Sequence, residues 1–250
     1  MTSMNHPGNR FTEAIRNLRQ AVRRSVPTGI ICEPLKLCYF SIPKVGSSTV
    51  KRYLIEHGYA NLSLDGKEIG MSNIHGYPFP RADAAGILEL KGFTKFAVVR
   101  DPYRRIWSCY VDKIVRNREN GRALHPGFER YNRLSGLRVF HLEMDFPSFL
   151  RSVSRIPDWM ADGHFRSQHR FIASHAGKLM LDRIIRLEEM DAEMRSMTSL
   201  LGIPEWNPPN INPSKAGKLA FEWTDAEIRI VNHRYRADFD LLGYQRRNGD

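Results

Sequence analysis

Two kinds of apolar run alternate along the chain. Leu35 to Ile42 (LKLCYFSI), Lys95 to Val99 (KFAVV) and Leu179 to Leu187 (LMLDRIIRL) are short and mostly continuous, as expected of strands buried on both faces. Other stretches repeat their apolar residues at three and four. Ser47 to His57 sets Val50, Tyr53 and Leu54 on one face, and a helix around Phe146 to Val153 follows the same rule. Asp101-Pro102, an N-cap acid before a first-turn proline, starts a helix running from Tyr103 to about Arg116. Met190, Met194, Met197 and Leu201 mark another, stopped by Gly202 and Pro204. Thr224 and Glu227 form a capping box for a last helix bearing Ile228, Val231, Tyr235, Phe239 and Leu242.

The remaining stretches are less regular. Residues 58–92 read as Gly-rich loops with one or two short helices, and 116–138 as an extended basic excursion. An irregular aromatic and His-rich piece runs on to His175, and Pro204 to Lys218 is a loop. Strands separated by helices predict an α/β fold, a doubly wound central parallel sheet flanked by helices, with ligands at the carboxyl ends of the strands. It would be one domain over 35–246, preceded by a basic helical extension over 1–34. In that extension Phe11, Ile15, Leu18 and Val22 recur at helical spacing among arginines. Packing of that stripe on the domain is the first reading, and peripheral attachment to a membrane surface the second.

Composition narrows the classes. Of 250 residues 42% are apolar and 10% aromatic, which describes a globular chain. Lys and Arg number 38 against 27 Asp and Glu, a formal charge of +11 that predicts polyanionic partners without choosing among them. Cys32, Cys38 and Cys109 form neither a CxxC pair nor an even framework, which suits a reducing compartment. Cys109 falls in a helix expected to be buried, where packing is the ordinary role of a thiol. With no apolar run near the roughly 20 residues of a membrane span and no signal-peptide centre, the expected location is cytoplasmic, or peripheral at the inner membrane face.

The chemistry gathers at two strand-to-helix junctions. In YFSIPKVGSSTVKRYL (Tyr39 to Leu54), a strand breaks at Pro43 and passes through Lys44, Gly46, Ser47, Ser48 and Thr49 into a helix. Such a turn offers backbone amides, a helix N-terminus and hydroxyl donors to an anion. A nucleotide triphosphatase loop would need Gly-x-x-x-x-Gly-Lys-Ser/Thr; here Ser41 stands five before Gly46 and Ser47 follows it, so that match fails. At the second junction, VVRDPYRRIWSCY, Arg100 ends the strand where its fork can hold a second anion, and Ser108 lies two turns into the helix. The alternative for Arg100 is a pairing with a helix carboxylate such as Asp112.

Together, Lys-x-Gly-Ser-Ser-Thr after a strand and Arg-Asp-Pro-x-x-Arg-x-x-Ser-x-Tyr some fifty residues later resemble the carbohydrate sulfotransferases. IPKVGSSTVKR is close to the form in the chondroitin and related Golgi enzymes. YRADFDLLGY (Tyr235 to Tyr244) is similar to that branch's C-terminal signature, and RLEEMDAEM and the INPSK loop have counterparts. The resemblance spans roughly Leu35 to Tyr244 and is weak between Arg116 and His175. It implies the donor PAPS (3′-phosphoadenosine 5′-phosphosulfate), with Lys44, Gly46, Ser47, Ser48 and Thr49 at the 5′-phosphosulfate and Arg100 and Ser108 at the 3′-phosphate. Ser214 and Lys215 would close over the donor. The implied reaction moves the sulfuryl group in line to a carbohydrate hydroxyl, Lys44 neutralising the oxygens of the departing phosphate, with no metal. The Golgi enzymes carry a membrane anchor that this sequence lacks, which suggests a soluble, bacterial-type relative.

Deprotonating the acceptor calls for a base. His75, in NIHGY between the two motifs, is the first choice, because related enzymes have a His-Gly element there. His164, in GHFRSQ, is the second, either as base or as a lining residue of the acceptor cleft. Arg116, with Arg118, Arg122, Arg130 and Arg133, is placed for an acidic or lipid-linked glycan, or is a solvated loop charge. Nucleic acid is not expected as a partner. Two other classes compete. A nucleotide-dependent phosphotransferase with a divergent phosphate loop lacks the Gly-Lys-Ser/Thr signature and a magnesium-binding acid at its second strand. A non-catalytic anion-binding module gives no reason for two cradles at two strand ends.

Overall fold

The structure, a computed structural model, describes residues 27–59, 74–174, 176–208 and 221–249. The basic helix expected over 11–22 and the loop carrying Ser214 and Lys215 lie outside these residues.

Five strands form one sheet: β1 (Gly29–Cys32), β2 (Leu37–Phe40), β3 (Arg81–Ala82), β4 (Thr94–Val99) and β5 (Arg183–Arg186), ordered β3-β1-β2-β4-β5. The sheet is mixed, where the pattern had predicted a parallel one. β2, β4 and β5 run parallel, whereas β1 pairs antiparallel with both β2 and β3. The antiparallel edge begins at Gly29, inside the segment expected to be an extension. The turn Glu33 to Lys36 between β1 and β2, with Lys36 N–H donating to Glu33 O at 3.1 Å, is too short for a crossover and dictates the antiparallel pairing.

The helices follow in order: α1 (Ser47–Gly58), α2 (Ala84–Glu89), α3 (Pro102–Tyr110), α4 (Arg116–Glu119), α5 (Pro126–Ser135), α6 (Phe146–Ser154), α7 (His169–Ile172), α8 (Met190–Leu201), α9 (Asp225–Arg234) and α10 (Arg236–Leu242). A π turn over Val111–Val115 joins α3 to α4. Two expectations are corrected. The basic excursion contains α5: Pro126 takes the first helical position after His125, whose Nδ1 accepts the Gly127 N–H, and Phe128 and Tyr131 turn one face inward. The last helix is two, because Tyr235 leaves helical geometry at φ −112° between α9 and α10. Its hydroxyl donates to Phe165 O at 2.8 Å.

Two apolar cores result. One lies around the sheet, where Phe96 to Val99 are fully buried with Tyr39, Phe40, Val50 and Leu54. The other joins α3, α5, α6, α9 and α10 through aromatic rings, with Phe128 centred 4.8 Å from Phe140 and 5.6 Å from Phe165. The second motif sits between them, with Val98 and Val99 in the first and Tyr103 and Ile106 in the second. No helix among the described residues is long and apolar enough to cross a membrane.

Candidate active site

Register sets the two junctions side by side. Phe40 of β2 pairs with Ala97 of β4 in a parallel ladder, so the chain leaves both strands over the same edge. After β2, Lys44 and Gly46 adopt left-handed backbone, at φ 72° and 78°. That conformation is strained for a residue with a Cβ such as Lys44, and strain of this sort collects at ligand clamps. It also turns successive N–H groups toward a common concave side. A Cβ on Gly46 would stand 3.0 Å from Leu187 Cδ1, so the loop has little room on its protein side. No side chain caps α1 at Gly46, so its first amides are without a side-chain partner at the cap.

Arg100 crosses from the second junction to the first. Its NH1 donates to Lys44 O at 3.2 Å, while its buried Nε has no hydrogen-bond partner among the described residues. Burial first, then Arg104 and Arg105, pull this guanidinium below its ordinary pKa against the opposing carboxylates of Glu188 and Asp101. Asp112 is not its counterion. It pairs instead with Lys44 Nζ at 2.9 Å, Lys113 Nζ at 3.2 Å and Arg116 NH1 at 3.1 Å. Burial would raise the Asp112 carboxyl, but the Lys44 and Lys113 ammonium groups overcome it and hold it below its usual range. Lys44 is drawn down by burial and pulled back by Asp112. The π turn places Asp112 there, since its wider winding breaks the facing an unbroken α-helix would give.

Ser47 and Ser108 are buried, Ser108 two turns along α3 on the side facing the core. His75 lies over α1: Nε2 is 3.0 Å from Ser48 Oγ and Nδ1 is 3.1 Å from Lys51 Nζ. Burial, then Lys51, lowers its pKa, and burial with Arg81 lowers Lys51 to about 8. His164 bonds through Nδ1 to Asp162 Oδ1 at 2.6 Å, with His125 ring to ring at 4.8 Å. Arg116, expected at a glycan, is tied to Asp112.

Several groups that motif reading left without a role hold this arrangement. Arg105, the second arginine of the Arg-Asp-Pro motif, is 2% exposed. It donates to Pro43 O at 3.1 Å, Gly163 O at 3.1 Å and Arg166 O at 2.7 Å, bolting the Lys44 loop to the His164 loop. Gln168 grips the Arg100 backbone both ways, accepting its N–H at 2.9 Å and donating to its carbonyl at 2.8 Å. Fully buried Asp238 in α10 accepts the N–H groups of Gln168 at 2.7 Å and His169 at 2.9 Å. Tyr244 donates to Glu188 at 2.9 Å, whose other oxygen takes the Asp101 N–H at 3.2 Å. The signal for these was the C-terminal YRADFDLLGY run, which looked like a signature without a mechanism. Its two polar anchors both brace the second junction.

The sulfotransferase family profile matches residues 27–245, which takes in the sheet, both junctions and the C-terminal brace. This chain belongs to the sulfotransferase family. Rat carbohydrate sulfotransferase 10 is 27% identical over 258 residues, covering 94% of this chain and 72% of the relative. The human protein of that name is 26% identical, covering 86% of this chain and 66% of the relative. The chicken protein is 35% identical over a shorter 113 residues, 42% of this chain and 31% of the relative. No solved structure matches. For this sulfotransferase the fold also joins what sequence spacing kept apart: His125, Asp162 and His164 have ligand-capable atoms within 4.8 Å of one another, a group that could hold a metal ion.

Proposed function

We propose that this sulfotransferase uses PAPS to sulfate a hydroxyl of a carbohydrate. The observation that carries the donor assignment is Arg100, a half-buried arginine whose buried Nε has no partner among the described residues, beside the Lys44 carbonyl and between the two junctions. It supports a dianionic 3′-phosphate at Arg100 and Ser108, and the phosphosulfate over Lys44 and the Gly46 to Thr49 amides and hydroxyls. The donor supplies an activated sulfuryl group with a good leaving phosphate. With the donor bound, Lys44 would leave Asp112 to neutralise charge on the departing phosphate, and Asp112 would stay paired with Lys113 and Arg116. The mixed sheet, with its three parallel strands opening onto one crevice, is in keeping with a doubly wound, phosphate-loop-like architecture. A carbohydrate acceptor is suggested by the printed names of the relatives. It would enter beside His164 and the cavity of about 330 Å³ lined by Ala161, Asp162, Gly163, His164, Arg166 and Phe171.

Thermal shift with three nucleotides tests the donor. Adenosine 3′,5′-bisphosphate raises Tm, whereas 5′-AMP and Mg-ATP leave it unchanged, because only the first reaches both cradles. Stabilisation by Mg-ATP instead would return the protein to the phosphotransferases. Transfer from labelled PAPS across an oligosaccharide panel, read by mass spectrometry, identifies the acceptor.

A further inference from the structure

We propose that His125, Asp162 and His164 form a binding site for a divalent transition-metal ion, zinc by the chemistry of its donors, at the wall of the 330 Å³ cavity. The site goes beyond the sulfotransferase reading above and does not depend on it, since the transfer proposed there calls on no metal ion.

Sequence separates the three ligands, and the fold brings their donor atoms within 4.8 Å of one another. His125 is the N-cap of α5, at φ −56° and ψ 132°, where the following proline confines it to extended backbone. Asp162 and His164 lie in the loop before α7. Two side chains of α5 clamp the start of that loop: Arg130 NH2 donates to Met160 O at 2.6 Å, and the Tyr131 hydroxyl donates to the same carbonyl at 2.8 Å. Within the loop, Asp162 O accepts the N–H groups of Phe165 at 3.0 Å and Arg166 at 2.8 Å, and Ala161 O accepts Arg166 NH2 at 2.8 Å. The two ligand-bearing segments are therefore fixed against each other without an ion, with the His125 and His164 ring centres 4.8 Å apart. A preformed ligand set keeps the affinity that ordering on binding would cost.

Gly127 marks the gap between the first imidazole and the carboxylate. A Cβ there would stand 3.1 Å from His125 Nδ1 and collide with Asp162 Oδ2. His125 and Asp162 thus flank one spot that only a residue without a side chain leaves open. On its other oxygen, Asp162 Oδ1 accepts His164 Nδ1–H at 2.6 Å. Two ligands of a tetrahedral zinc ion stand about 3.3 Å apart, so this pair opens by about 0.7 Å to admit one, and the imidazole then keeps its proton on Nε2.

The donors select the ion. Two imidazoles and a carboxylate suit zinc and its transition-metal neighbours, whereas magnesium and calcium demand shells of oxygen. Ligands must also be free of the competing proton. Burial, then Lys113, drives His125 to about 4, and burial keeps His164 below its ordinary 6.5. Burial would raise the Asp162 carboxyl, but His164 holds it below its usual range. All three groups are thus in the metal-binding form at neutral pH. Cys109 is not a fourth ligand, because burial pushes its thiol up to about 12 and thiols bind as thiolates. Lys113 and Lys44 oppose positive charge at this place, and Asp112 pairs with both. With three ligands and two cations near, the expected affinity is micromolar, short of a closed four-ligand structural site.

An ion here would tie the start of α5 to the loop before α7. Three protein ligands leave a tetrahedral ion one position for an exchangeable oxygen donor. Asp162 and His164 both line the cavity, so a molecule in the cavity is placed to supply that oxygen.

Calorimetry and thermal melting with zinc chloride, on chelator-treated protein, compare wild type with His125→Gln, Asp162→Asn and Gly127→Ala. In the wild type one zinc ion binds per chain and raises Tm by about 5–10 °C at roughly 100-fold excess over Kd, while magnesium and calcium chloride leave Tm unchanged. His125→Gln and Asp162→Asn weaken zinc at least about 10- to 100-fold. Gly127→Ala removes no ligand and weakens zinc as well, because its methyl group displaces the Asp162 carboxylate. Cooperative melting of the zinc-free variants shows that they fold. Zinc K-edge absorption of the wild type, which needs no variant, shows two imidazole nitrogens and no sulfur. The site is refuted if zinc leaves the wild-type Tm unchanged, or if magnesium raises it equally. It is also refuted if folded His125→Gln and Asp162→Asn bind zinc within about 3-fold of wild type, or if the absorption spectrum shows sulfur.

Discussion

On the proposed donor side, the groups set to face an anion come from two unbroken runs of chain, 43–49 and 100–108, and much of what they offer is backbone. On the proposed acceptor side, His125 comes from the α4–α5 connection and Asp162 and His164 from the loop before α7, and what they offer is side chains held by one another. A cradle of amides needs a strand end, a glycine and a helix start in sequence, so its chemistry is local. An oriented imidazole needs only a carboxylate that happens to fold nearby. Donor binding is therefore expected to survive changes that abolish turnover, and one residue, Arg105, should damage both because it bolts the two together.

Arg105→Ala is expected to have the largest effect. It takes a side-chain donor from the carbonyls of Pro43, Gly163 and Arg166 and should cost about 3–5 kcal/mol of stability, read by urea denaturation. A loss under about 1 kcal/mol would show that the two sides stand independently. Lys44→Ala should lower kcat about 100- to 1,000-fold with little change in Tm, since Asp112 keeps Lys113 and Arg116. If melting fell as far as activity, Lys44 would be a structural partner of Asp112 and no more. Arg100→Ala should weaken adenosine 3′,5′-bisphosphate about 10- to 100-fold, leaving 5′-AMP and acceptor KM unaffected. Calorimetry with both nucleotides decides it, and equal losses for the two would remove the 3′-phosphate from Arg100.

The smallest effect is on pH dependence, and it too separates the sides. His125 has its folded pKa lowered from 6.5 to about 4, so the unfolded chain binds more protons between those values and stability falls as pH drops through that window. The lowered carboxyls of Asp112 and Asp162 act below their ordinary 3.8, where stability is lost as they protonate. His125→Gln should flatten Tm between about pH 6.5 and 4 and leave the steeper fall below it. An unchanged curve would mean that His125 is solvated and not part of the cluster.

The same contrast explains what could be read from the chain. β4 and the Asp101-Pro102 helix start were legible because continuous apolar residues and an N-cap acid report local geometry, and both stand as expected. The three strands read from the pattern do run parallel, and the sheet is mixed because β1, only GIIC, is too short a run to stand out from the extension it was assigned to. α5 was obscured by its charges, with only Phe128 and Tyr131 facing the core. Asp112, named only as the alternative partner of Arg100, pairs instead with Lys44, and the π turn it lies in leaves no mark in the sequence. Arg105 stood in the quoted motif, yet its role depends on carbonyls at Pro43, Gly163 and Arg166, which only folding brings together.

The brace from α10 has a consequence for the order in which the protein becomes competent. The groups proposed to face the donor at the two junctions lie before residue 110, and a ribosome delivers them early. Gln168 holds the Arg100 backbone only once Asp238 has fixed its loop, and Glu188 is steadied by Tyr244. A nascent chain therefore displays both motifs long before it can grip a nucleotide firmly. The C-terminal segment is therefore the last part of the second junction's bracing to be made.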